Sequence, residues 1–163
     1  MKTFRIDTVG RSVDIATATS LAAALLAQGN GRIKQVCGGK GMCATCHVRV
    51  LAGAESLTPL NKREKGTLAM ITGATPSSRL ACQAKVVGEG VVIDVPPGIY
   101  LESIAQAEAL IGRRAEEPLV HPVSGAILVP AGKIITRSTV MTLKSIDADV
   151  VAMLRHTGSV SGA

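Results

Sequence analysis

Aromatic side chains are almost missing from this 163-residue chain: it has no Trp, and Phe4 and Tyr100 stand alone. A core must therefore be built from Val, Ile, Leu, Ala and Met, and recognition of nucleic acid by stacking bases on aromatic platforms is disfavoured. Long apolar runs are missing too. The most hydrophobic stretch, LAAALLAQG at 21–29, is less than half of the ~20 residues that a membrane-crossing helix needs. The first twenty residues, MKTFRIDTVGRSVDIATATS, carry Asp7 and Asp14 in an alternating pattern, where a secretory leader would need an unbroken apolar centre. The expectation is a soluble, unexported, cytoplasmic protein. Cysteine is also scarce, four in all. In a reducing compartment these suit metal or redox chemistry better than a disulfide framework.

Charge is unevenly spread. Residues 1–96 hold 12 Lys or Arg against 6 Asp or Glu, whereas residues 97–163 hold 6 of each, so the whole excess of +6 belongs to the first part. A basic surface suits an anionic partner. Without a Lys/Arg-rich helix or a nucleic-acid motif, no nucleic acid is expected.

The pattern along residues 1–96 predicts an α+β body. Residues 4–9 and 12–17 alternate about Gly10-Arg11 as a hairpin. Ser20 caps a helix over 21–29, and Val48 and Val50 face one side of a strand in HVRVLAG. Thr58 and Pro59 start a second helix that Gly66 weakens, and RLACQAKVV and GVVIDV read as two strands joined by Gly88-Glu89-Gly90. Pro96-Pro97 then ends the body. Residues 97–113 are predicted as a connecting helix with Ile104, Ala107, Leu110 and Ile111 on its apolar side. Residues 114–163 are predicted as a small α/β extension: strand, turn at Ser124-Gly125, strand, turn at Ala131-Gly132, helix from Ser138, and a last strand. It is read as an interaction module, with a homodimer as one use of it.

Three of the four cysteines fall within QVCGGKGMCATCHVRV, residues 35–50, and the set Cys37, Cys43, Cys46 and Cys82 has the spacing C-x5-C-x2-C-x35-C. That stoichiometry suits one four-thiolate site. Zinc, an iron-sulfur cluster and a dithiol at Cys43–Cys46 are the alternatives. Structural zinc commonly recruits two close pairs on separate knuckles, whereas here three ligands share one loop and the fourth is remote. A loop around a bulky inorganic core also needs backbone N–H groups aimed at the sulfurs, and Gly38, Gly39 and Gly41 suit a backbone that must approach closely.

CGGKGMCATC followed by RLACQ resembles the 2Fe-2S ferredoxins of the adrenodoxin and bacterial type. The five residues between the first two cysteines place the chain nearer that branch than the plant type, which has four. They also place it near ferredoxin-like domains fused to bacterial regulatory or corrinoid-reactivating proteins. The resemblance covers about residues 1–96. It implies a β-grasp fold and one 2Fe-2S cluster, with Cys37 and Cys43 on the outer iron and Cys46 and Cys82 on the inner one. It further implies that His47 ties the cluster loop to the fold without ligating. Arg32, Lys34 and Lys40 are expected to favour the more negative reduced state. His121 and His156 carry no signal.

The function expected from the resemblance is one-electron carriage between redox proteins, a reductase and a terminal acceptor. The alternative is an iron-sulfur sensor that signals through the extension. No nucleophile, acid/base pair or nucleotide loop accompanies the cysteines, so no catalysis of its own is expected. One departure from the family concerns docking. Where adrenodoxin-like proteins carry an acidic helix, LNKREKGTLA presents Lys62, Arg63 and Lys65 with only Glu64 acidic. A partner with an acidic docking face, or another anionic surface, is expected instead.

Overall fold

A computed structural model describes residues 2–6, 11–29, 33–101, 103–142, 148–153 and 155. Five strands form the larger sheet: β1 (Lys2–Ile6), β2 (Arg11–Ile15), β3 (His47–Ala52), β4 (Ser78–Leu80) and β5 (Val91–Asp94), in the order β2-β1-β5-β3-β4. β1 and β5 run parallel, and every other pairing in this sheet is antiparallel. The hairpin forms, but Arg11 stands in β2 opposite Ile6 and not at the turn, and Gly10 lies outside the described residues.

Helix α1 (Leu21–Ala27) packs on the sheet. Ser20 accepts the N–H of Ala23 as its cap, and Leu21 and Leu25, four residues apart and so on one face, are fully buried. They meet Val48, Leu80 and Ile93 in the core. Each such aliphatic side chain contributes about 1.5–3 kcal/mol on burial. Val48 and Val50 do share the inward face of β3. This mixed sheet with its packed helix is a β-grasp.

Several boundaries differ from the sequence expectation. Helix α2 runs Lys62–Met70 and is capped by Asn61, whose side chain accepts the N–H of Glu64 at 2.8 Å. Thr58 is drawn away instead, exchanging hydrogen bonds with the backbone of Lys85. RLACQAKVV is not one strand: β4 stops at Leu80, and Cys82 lies in a turn. The predicted helix over 97–113 is reduced to α3 (Ile104–Glu108), because β6 (Ile99–Tyr100) first pairs in parallel with β7 (Leu119–Val120).

The extension forms a second, three-stranded sheet, β6-β7-β8, with β8 at Ile127–Val129 and α4 at Arg137–Thr142. Leu101, Ala107, Leu119, Val129, Ile135 and Val140 make its own small core. The expected last strand is helical over 148–153. Val150 and Val151 suggest strand by their branching, but the three-residue spacing of Val150 and Met153 brings both onto one apolar cluster, and packing overrides propensity. Tyr100 and Val120 belong to the larger core, so the extension is packed against the body.

One buried ion pair holds α2 to β4. Glu64, 0% exposed, receives Arg79 in a two-pronged contact (Nε–Oε1 2.7 Å, Nη2–Oε2 3.2 Å). Glu64 also accepts the Leu80 N–H at 2.9 Å, and Arg79 donates to the Thr58 carbonyl. Removing one partner of such a pair strands the other charge in the interior. Glu64→Ala is expected to cost about 3–5 kcal/mol in urea unfolding of the full chain. An unchanged midpoint would refute this role.

Candidate metal centre

The four cysteines are unpaired and converge from the loop before β3 and the turn after β4. They stand as two pairs. Cys46 Sγ lies 3.3 Å from Cys82 Sγ and donates to it. Cys43 donates to Cys37, and that bond, helped by the N–H groups of Met42, Lys40 and Gly39, holds the Cys37 thiol down to about 5 against the cost of burial. The donor in each pair goes the other way: Cys43 and Cys46 are pushed up, first by that shared proton and then by burial. Cys82 is drawn down to about 7 by Cys46, with further help from Gln83 and the Gly41 N–H.

The loop turns its amides inward because its glycines permit it. Gly38, Gly39 and Gly41 all have φ between 72° and 79°. At Gly41 a Cβ would also come within 3.0 Å of the Gln83 side chain. Inward amides leave carbonyls outward, and neighbouring elements take them up. Thr67 donates to the Gly41 carbonyl, Arg63 to Lys40 at 3.3 Å and Gln83 to Gly39 at 3.0 Å. Thr45, fully buried, is the hub on the other side. Its hydroxyl donates to the Lys34 carbonyl at 3.0 Å, accepts the Val36 N–H at 3.3 Å and lies 3.0 Å from Cys43 Sγ.

This donor set fits the group implied by the family resemblance. Two facing thiol pairs, each with N–H donors beside it, suit a two-iron centre.

His47 heads β3 as expected. It is buried, its Nε2 lies 2.7 Å from Ser78 Oγ, and burial followed by the charge of Arg49 lowers its pKa to about 4, so the ring is neutral. Lys34 is half-buried and Lys40 exposed beside the loop, while Arg32 and His156 lie outside the described residues. His121 is far from uninformative: its Nδ1 accepts the N–H groups of Val123 and Ser124, and its Nε2 lies 3.0 Å from Asp149. Thr45, Gln83 and the Glu64–Arg79 pair escaped sequence reasoning. Thr45 lies inside CGGKGMCATC, and Arg79 and Gln83 inside RLACQ, but nothing in those motifs marked their bonding roles. Tyr100, the sole tyrosine, is buried near the thiols, and its hydroxyl pKa is raised by burial and then by the charges of Cys46 and Cys43.

Comparison with known proteins agrees with this geometry. The 2Fe-2S iron-sulfur cluster binding domain family matches residues 4–87. Putidaredoxin of Pseudomonas putida is 40% identical over 94 residues, a span of 55% of this chain and 88% of putidaredoxin. Among solved structures, the ISC-like 2Fe-2S ferredoxin of Pseudomonas putida aligns with a TM-score of 0.53 at 27% identity, covering 59% of this chain and 93% of that one. A chain of the covalent putidaredoxin reductase–putidaredoxin complex gives 0.51 at 36% identity, covering 58% and 98%. The solved relatives are matched almost end to end, whereas this chain extends beyond the match. The chain therefore belongs to the 2Fe-2S ferredoxin family, of the adrenodoxin and bacterial type, and binds one 2Fe-2S cluster as its relatives do.

Proposed function

We propose that Cys37, Cys43, Cys46 and Cys82 hold the cluster, and that the protein carries single electrons between redox proteins in the cytoplasm. The observation that carries this reading is the convergence of four unpaired thiols, in two pairs, under a canopy of backbone N–H groups. With four thiolates and two sulfides around two irons, the bound group offers a one-electron couple between charges of about −2 and about −3, typically at negative potential. The chain's part is to stabilise that charge. The amides of Gly39, Lys40, Gly41 and Met42, the Gln83 side chain and the Lys40 charge all favour the more negative state. Burial of Cys37, Cys43 and Cys46 keeps water from the sulfurs.

Residues 1–96 serve as the ferredoxin domain, residues 97–113 as the connection, and 114–163 as an interaction module. The electron passes between proteins with no catalytic step by this chain. Putidaredoxin is known in a covalent complex with its reductase, which supports a reductase-type donor here. The docking face on α2 is basic. Lys62 and Lys65 are exposed, and the one acid among them, Glu64, is turned inward on Arg79. Its counterpart is an acidic protein face.

A second reading, an iron-sulfur sensor acting through the extension, is favoured by one contact: the Ala44 N–H donates to the Pro122 carbonyl at 2.9 Å, joining the loop to the extension. Reduction that leaves conformation and oligomeric state unchanged would remove it.

Purified anaerobically, the protein is expected to be brown, with iron and labile sulfide in equal amounts and a paramagnetic signal only after reduction. Each of the four Cys→Ser substitutions should deplete that iron, and full iron content in all four would overturn the assignment. Gln83→Leu removes the donor 3.6 Å from Cys82 Sγ. It should lower the potential by on the order of tens of millivolts, on a scale where about 59 mV is a tenfold change for one electron. Association with the acidic partner should slow as salt is added, and a rate indifferent to ionic strength would remove the steering.

A further inference from the structure

The four sulfurs are not equally covered. Cys37, Cys43 and Cys46 are 2%, 1% and 1% exposed, whereas Cys82 is half-buried. What closes over Cys37 and Cys43 comes from the extension. Met153, 6% exposed, packs with both cysteines in one apolar cluster that Val36, Met42, Val123 and Val150 complete. Backbone bonds fasten the same edge: Pro122 accepts from Ala44 at 2.9 Å, and Ser124 accepts from Thr72 at 2.8 Å. His121 pins the cover. With Nδ1 accepting two amides at 3.2 Å, the ring proton sits on Nε2 and is donated to Asp149, at the start of the helical segment 148–153.

The Cys82 edge has a different character. Gln83 lies against the Cys82 sulfur, accepts from Asn61 and donates to the Gly39 carbonyl, and the chain neighbours of those two residues, Lys62 and Lys40, are both exposed. The carboxylate on this part of α2, Glu64, is buried and already paired. Two exposed cations thus adjoin the residues that hold Gln83 against Cys82, the one half-buried cysteine, and Lys62 also borders, with Arg63, the cavity lined by Met42 and Met153.

We propose that the extension closes the Cys37–Cys43 edge to other proteins, and that electrons are exchanged across the Cys82 edge, where Lys40 and Lys62 receive an acidic face of a redox protein. This rests on the carrier reading and says where on the carrier the exchange occurs. One electron leaves the protein in each event, with no bond made or broken and no proton moved.

The test uses full-length protein with its cluster, reduced and then mixed in stopped flow with the anionic cobalt(III)–EDTA complex or cationic hexaamminecobalt(III). Each takes one electron to become cobalt(II). The double variant Lys40→Glu, Lys62→Glu should slow the anion about tenfold and speed the cation, while Lys133→Glu, in the turn after β8, changes neither. Equal rates in the double variant and the parent overturn the exit edge. The cover is read separately by hydrogen exchange at Ala44 in the oxidised protein, where Met153→Asp and, as a milder change, Asp149→Asn should each speed exchange, the first about tenfold. Unchanged exchange in both overturns the cover. A protein that accepts no electron overturns the carrier reading and the exit edge together, and the Ala44 measurement then still decides the cover.

Discussion

Negative charge gathered on four sulfurs inside a protein has to be met by donors, and the rest of this structure answers that demand. Water would meet it, but three of the four sulfurs are buried. The loop therefore supplies its own amides, which requires the left-handed turns at Gly38, Gly39 and Gly41. Turning amides in leaves carbonyls out, and each needs a partner in turn. Thr67 and Arg63 on α2 and Gln83 after β4 provide them. The position of α2 is thus tied to the loop that carries three of the cysteines, although α2 itself carries none. The Glu64–Arg79 pair sets that position by joining α2 to the strand that delivers Cys82.

The same pair has an electrostatic consequence. A helix that reads as basic with one compensating acid becomes, once Glu64 is turned inward, basic alone on its exposed side. The desolvation of that carboxylate is offset by a bidentate guanidinium and the Leu80 amide, a geometry that Lys at position 79 would not reproduce. Stability and surface charge are therefore coupled at one residue.

Much of the body was legible beforehand. The hairpin, α1 with its Ser20 cap and the inward face of β3 follow from alternation, capping chemistry and the period of two. That the four cysteines meet at one place was suggested by stoichiometry and loop composition. The errors cluster where long-range pairing competes with local preference. Thr58 has good capping chemistry, yet its bonds to Lys85 leave the cap to Asn61. Ile99 and Tyr100 begin a helical pattern but pair with Leu119 and Val120. Val150 and Val151 favour strand, yet the segment coils so that Val150 and Met153 reach one cluster.

By itself the sequence determined the chemistry: which atoms are available to hold a metal centre, how they are spaced, and where the excess positive charge lies. Those properties are local, carried by residue type and separation along the chain. Only the tertiary structure decided which sulfurs are shielded, which carboxylate is withdrawn from the surface, and that the extension folds back on the loop. These depend on contacts between residues far apart in the chain, such as Ala44 with Pro122 and Cys43 with Met153. No periodicity or composition encodes such a meeting, because each partner is an ordinary residue until the other packs against it.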